Sequence, residues 1–246
     1  MSNILDYIKW RGDISFDTSG FNNVDNLILS RFAYLPLDNL FEASNEIITI
    51  NQAYVRYLNR VVEGEKIFQK EDKDLFPELA YSERFGTLKI TRYVNRVSKE
   101  EEKQFSAVTI LLPDNTMYIS YRGTDNTIVG WKEDFNISLD IDIPSQKEAT
   151  KYLEKVYLDL QKNMRIGGHS KGGNLAIYSS IFCSENIKPY IIKVYNNDGP
   201  GLSKKLTETI EYKQGLSKIS SFVPQTSIIG KLMYHEEKYY IVKSTQ

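Results

Sequence analysis

Apolar residues recur at helical spacing in two stretches of the 246-residue chain. Ala149, Tyr152, Leu153, Val156, Tyr157 and Leu160 form one stripe on an otherwise polar run, which predicts an amphipathic helix. From Asn23, the positions Val24, Leu27, Ile28 and Phe32 repeat the pattern near the start. "IITINQAYVRYLNRVVEGEKIF" and "KEDKDLFPELAYSERF" show no alternation and read as helical or loop-like, so residues 1–98 form a mostly helical front section. Beyond it the period changes. "FSAVTILL" (Phe105–Leu112) and "MYISYRG" (Met117–Gly123) are β-prone runs joined by the turn residues "PDNT", which predicts a hairpin. "MRIGG" reads as a short strand, and "NLAIYSSIF" returns to helical spacing. Further strands are expected at Tyr190–Asp198, Lys218–Pro224 and Lys238–Ser244. Strands alternating with helices predict a single α/β domain over 1–246, its sheet core in 99–246, mostly parallel with helices on both faces.

Composition narrows the function classes. Lys+Arg 31 against Asp+Glu 32 gives a net charge of -1, so no basic footprint for nucleic acid is expected, and no steering toward anionic membranes. A single cysteine, Cys183, allows no intrachain disulfide, and with two histidines it offers no zinc set. The opening "MSNILDYIKWRGD" lacks a signal-peptide pattern, and no run of about 18 apolar residues suggests a membrane span, so a soluble, cytoplasmic protein is expected.

The chemistry concentrates in "RIGGHSKGGNLAIYSS" (Arg165–Ser180). Gly168-His169-Ser170-Lys171-Gly172 matches G-x-S-x-G, the nucleophile elbow, and lies where a strand should turn into a helix. Such a turn holds the serine in a strained conformation, and side chains at Gly168 and Gly172 would strike the neighbouring strand and helix. A phosphate loop is the competing reading of glycines and a lysine before a helix, but the spacing G-x-x-x-x-G-K-[ST] is absent.

"GGHSKGGNLAIY" resembles the elbow of the class 3 lipases, the fungal triacylglycerol lipase family of the α/β-hydrolase superfamily. "ISYRGTDNTIVGWKEDFNISL" (Ile119–Leu139) is similar to that family's strand, Arg-Gly-Thr/Ser loop and Trp-x-x-Asp segment, in the same order. The elbow and the "YIKWRGDISF" opening also resemble an uncharacterised bacterial branch of the superfamily, over nearly the whole chain. The resemblance implies an α/β-hydrolase fold, a nucleophile at Ser170, and oxyanion donors at the Lys171 N–H and at Thr124, with Asp134 ordering the oxyanion loop. For the acid, "NNDGPGL" points to Asp198, 28 residues beyond Ser170, because "FVPQTSIIG" carries no carboxylate where class 3 lipases keep theirs. Asp198 is also a natural turn former before Gly-Pro-Gly.

A general base must take the serine proton, and histidine has the suitable pKa. His169 adjoins Ser170 and is expected to pack beneath the turn. His235 is then the candidate within this sequence, unless the base lies beyond Gln246, as the bacterial branch implies. The expected reaction is acyl transfer from a small-molecule or lipid ester to water, with no metal or organic cofactor. The short "DIDIPSQ" segment leaves little room for a large lid, so short- or medium-chain esters are favoured. A thioesterase or acyltransferase would use the same triad. From another class, a hydrolase-fold protein could bind an acyl ligand or partner without turnover.

Overall fold

The computed structural model describes residues 3–60, 72–98, 103–124 and 143–244. Among the described residues, eight strands form one sheet in the order of the sequence. β1 (Ile48–Thr49), β2 (Lys89–Ser98), β3 (Lys103–Leu111) and β4 (Met117–Tyr121) pair antiparallel with their neighbours. From β4 onward the pairing is parallel through β5 (Met164–His169), β6 (Ile191–Asn197), β7 (Ile219–Pro224) and β8 (Lys238–Val242). Helices cover both faces of this mostly parallel sheet, the layered α/β arrangement expected.

Each face has its own core. On one side, α6 (Pro144–Leu160) and α7 (Lys171–Phe182) pack against Phe105, Ala107, Met117, Ile119, Tyr121, Met164 and Ile166. On the other, α1 (Ile4–Arg11), α2 (Asn23–Phe32), α3 (Ile50–Asn59), α4 (Asp72–Tyr81) and α5 (Glu83–Gly86) pack against Ile90, Val108, Ile110 and Tyr118. The period of two in β3 and β4 sends alternate side chains to opposite cores. Every residue of β4 is buried, and its sequence reads as an apolar and aromatic run interrupted by Ser120. Two short helices, α8 (Lys204–Thr207) and α9 (Ile210–Gly215), lie between β6 and β7.

The amphipathic helix and the hairpin form where the pattern placed them, with β3 and β4 registered from Ala107 opposite Tyr121 to Leu111 opposite Met117. β2 is the departure, a ten-residue strand inside the section read as mostly helical. Its alternation is broken by a bulge between Thr91 and Val94, where Arg92 takes a φ of 56°, so no clean period of two shows in the sequence. Among the described residues, no helix is long and apolar enough to cross a membrane, and no cluster of His, Cys, Asp and Glu could hold a metal ion.

Candidate active site

The expected nucleophile sits between the last residue of β5, His169, and the first of α7, Lys171. Ser170 has φ 56° and ψ -131°, a conformation that costs a non-glycine residue about 1–3 kcal/mol. Its neighbours hold it there. The Ser170 N–H donates to the Asn197 carbonyl at 3.0 Å, and the Ser170 carbonyl accepts from the Gly173 N–H at 2.8 Å. A Cβ on Gly168 would drive into the Gly172 backbone, and one on Gly172 would overlap the Tyr121 carbonyl oxygen of β4. Strand, turn and helix therefore approach closely only because both positions are glycine.

Lys171 turns its side chain inward. Its Nζ is buried and donates to the Gln104 carbonyl at 3.1 Å and to Gln104 Oε1 at 3.3 Å, so its charge is committed to β3 rather than to a phosphate beside Ser170. Its backbone N–H is the first of α7, and such a position has no acceptor within its own helix. The loop after β4 lies against the elbow. A Cβ on Gly123 would stand 3.3 Å from Ser170 Cβ and 2.6 Å from the His169 carbonyl oxygen. Thr124 follows and is half-buried. Asp134, the Trp-x-x-Asp segment and residues 140–142 of "DIDIPSQ" lie outside the described residues.

His169 directs its ring toward Tyr34, with Nδ1 3.4 Å from the Tyr34 hydroxyl oxygen. Burial, reinforced by the Arg31 charge, pushes its pKa down to about 4, so the ring is neutral at neutral pH.

Asp198 follows β6 directly with a φ of 57°, its N–H donating to the Phe222 carbonyl at 2.9 Å. Its Oδ1 is buried and accepts no hydrogen bond. Burial raises its pKa above the usual carboxylate value, against the opposing pull of the Ser227 hydroxyl, the Gly230 N–H and the Lys231 charge.

His235 precedes β8, and its Nδ1 lies 2.8 Å from Glu237 Oε1. Glu237 is buried and accepts from the Ser221 hydroxyl, from Tyr212 Oη at 2.9 Å and from the Glu236 N–H at 3.1 Å. Burial alone would raise its pKa, but the bonds from His235 and Ser221 outweigh it and hold the carboxyl below its ordinary value. The Nε2 of His235 is buried with no hydrogen-bond partner, beside Gly201, where an added Cβ would stand 3.1 Å away.

The structure thus brings Ser170, Lys171 and the Gly123–Thr124 loop together. It does not join the three expected triad residues. The carboxylate on His235 is Glu237, not Asp198, and no bond links its ring to Ser170. The expected Asp198–His235 pair is not hydrogen-bonded, and the reason is geometric. Asp198 turns toward Gly230 and Ser227, while Glu237 stands two residues from His235 in the same segment. "HEE" carried that signal in the sequence. Sequence reasoning also missed the support from the front section. Asn197 donates from Nδ2 to Ser30 Oγ at 2.9 Å and to the Gly168 carbonyl at 3.2 Å, and its Oδ1 accepts from Asn26 at 2.8 Å. Tyr118 Oη donates to Asn26 Oδ1 at 2.7 Å, completing a buried polar network beneath the elbow.

The Mbeg1-like family model matches residues 79–246, more than half of the chain. The chain belongs to the Mbeg1-like family. The match takes in β2 to β8 and the elbow, and leaves out most of the front section. Among curated proteins, none matches. Solved structures with a similar course are lipases at low identity. A fungal lipase–inhibitor complex, described as a model for interfacial activation, is 16% identical, with a TM-score of 0.46 over 58% of this chain and 59% of that one. The native propeptide complex of Rhizomucor miehei lipase is 16% identical, with a TM-score of 0.45 over 58% of this chain and 51% of that one. The M37 lipase is 13% identical, with a TM-score of 0.46 over 85% of this chain and 69% of that one. This Mbeg1-like chain spans 51–59% of the length of the first two.

Proposed function

We propose that the protein is a serine hydrolase of carboxylic esters that works through an acyl-enzyme on Ser170. The strained conformation of Ser170 between β5 and α7, with a glycine loop pressed against it, carries this reading. In it, Ser170 Oγ attacks the ester carbonyl, and the Lys171 N–H and Thr124 hold the oxyanion. Each such donor is worth about 3 kcal/mol of transition-state stabilisation. His235 takes the serine proton and returns it to the leaving alcohol, and water then releases the acid by the same route. Glu237 orients the ring, and His235 must leave Gly201 to reach Ser170 when substrate binds. Asp198, the expected acid, is kept as the alternative partner of that ring. No cofactor is called for. Short soluble esters should be turned over faster than emulsified long-chain triglyceride.

One observation favours a second reading, a hydrolase-fold protein that binds an acyl ligand or partner without turnover. The Nε2 of His235 is buried against Gly201 and bonds no hydroxyl. A fluorophosphonate probe, followed by peptide mass spectrometry, separates the two. Labelling at Ser170 that is lost in Ser170→Ala and in His235→Ala supports the hydrolase with His235 as base. Labelling that survives His235→Ala moves the base elsewhere. An unlabelled wild-type chain that still binds a fatty acyl ligand establishes the binder.

A further inference from the structure

We infer that Tyr34, from the front section, is a positioning residue that holds the oxyanion loop in register with the nucleophile. The inference rests on the serine-hydrolase reading and adds to it a residue outside the segment matched by the family model.

A tyrosine hydroxyl has one proton to donate and lone pairs to accept. The buried Tyr34 hydroxyl uses both capacities on the two segments that meet at the site. It donates to the His169 carbonyl oxygen at 3.0 Å, one residue before the nucleophile. It accepts from the Gly123 N–H at 3.0 Å, one residue before Thr124. A single oxygen thus ties the end of β5 to the loop after β4, although the chain runs between them through residues 124–168.

The ring is itself immobilised. The Arg31 guanidinium lies 4.1 Å from its centroid, and the preceding helix α2 is bonded into the sheet through Asn26, Ser30 and the Leu29 carbonyl, which accepts from Ser120. Gly123 fits the same design, since a Cβ there would collide with the Tyr34 hydroxyl and the His169 carbonyl. The neutral His169 ring beside the hydroxyl adds no charge that would redirect it.

An oxyanion donor must meet the transition state within a fraction of an ångström, so loosening the loop should lower turnover more than ground-state binding. The test compares wild type with Tyr34→Phe, which keeps the ring and removes only the oxygen. Three quantities are read: the rate of fluorophosphonate labelling at Ser170, kcat and KM for a short-chain p-nitrophenyl ester, and hydrogen exchange at the Gly123 amide. The labelling rate and kcat should fall about 10- to 100-fold with KM little changed, and the Gly123 amide should exchange faster. A labelling rate and kcat that stay at wild-type values, or fall only in proportion to the folded fraction, overturn the inference. Should Tyr34→Phe not fold, the wild-type Gly123 amide decides, with protection supporting the bond and free exchange overturning it. A wild-type chain that is never labelled is a separate outcome: it removes the hydrolase reading, and this inference with it.

Discussion

His169 and His235 show how strongly environment separates two copies of one residue type. His169 is held neutral by burial and by Arg31, whereas His235 has a carboxylate on Nδ1. The His169 shift has a consequence for stability. In the unfolded chain the ring takes up a proton below pH about 6.5, while in the fold it resists protonation down to about 4. The unfolded state therefore binds more protons in that window, so this contribution is complete above pH 6.5 and is lost as pH falls toward 4. Its full size is on the order of 3 kcal/mol. Urea denaturation between pH 7 and 4.5 should show this loss in wild type and a shallower decline in His169→Gln. Asp198 and Glu237 diverge likewise, one raised by burial and the other lowered by its donors. Neither direction was visible in the sequence, because burial depends on the packed fold and Ser221 reaches Glu237 from β7.

At the scale of elements, the junction of β5 with α7 is the critical contact. α7 begins against the Tyr121 carbonyl of β4 and continues along β6, where Gly173 leaves room for the Asn196 side chain. Gly172→Ala should push the start of α7 away from β4 and displace both Ser170 and the Lys171 N–H. We expect a loss of about 1–3 kcal/mol in stability, the usual range for overpacking a tight site. Fluorophosphonate labelling of the folded protein should fall at least tenfold, measurable beside thermal unfolding. The junction at Ser170 was legible because its requirement is local: two glycines around a serine, between a strand pattern and a helix pattern. β2 was not, since the bulge at Arg92 interrupts its alternation and its pairing with β3 is what makes it a strand.

Across the whole molecule, the front section is tied to the sheet through Asn26, Ser30 and the Leu29 carbonyl, and is braced within itself by the buried Arg84–Asp25 pair. Arg84 donates to both Asp25 oxygens, at 2.8 and 2.6 Å, and to the carbonyls of Ile14, Ser19 and Gly20 at 3.0, 2.9 and 3.1 Å. Asp25 also closes the capping box of α2 with Asn22. One ion pair thereby fixes the 14–20 segment, α5 and the start of α2. Removing one partner leaves a buried charge without compensation, so Arg84→Met should cost about 3–5 kcal/mol in urea denaturation. The double variant Arg84→Met/Asp25→Leu should recover part of that loss. If it recovers none, the pair is not the principal contribution of these residues.

The sequence by itself determined the α/β class, the order of most elements and the strand–turn–helix junction at Ser170. Those follow from short-range rules, namely the periods of hydrophobic burial and the sterics of glycine around Ser170. Tertiary structure alone decided which carboxylate meets His235, that Lys171 turns into the sheet, and that Tyr34 joins the loop after β4 to the elbow. Lys171 and Tyr34 meet partners distant in sequence, and His235 takes a near neighbour rather than Asp198, with burial and hydrogen-bond demand selecting the partner each time.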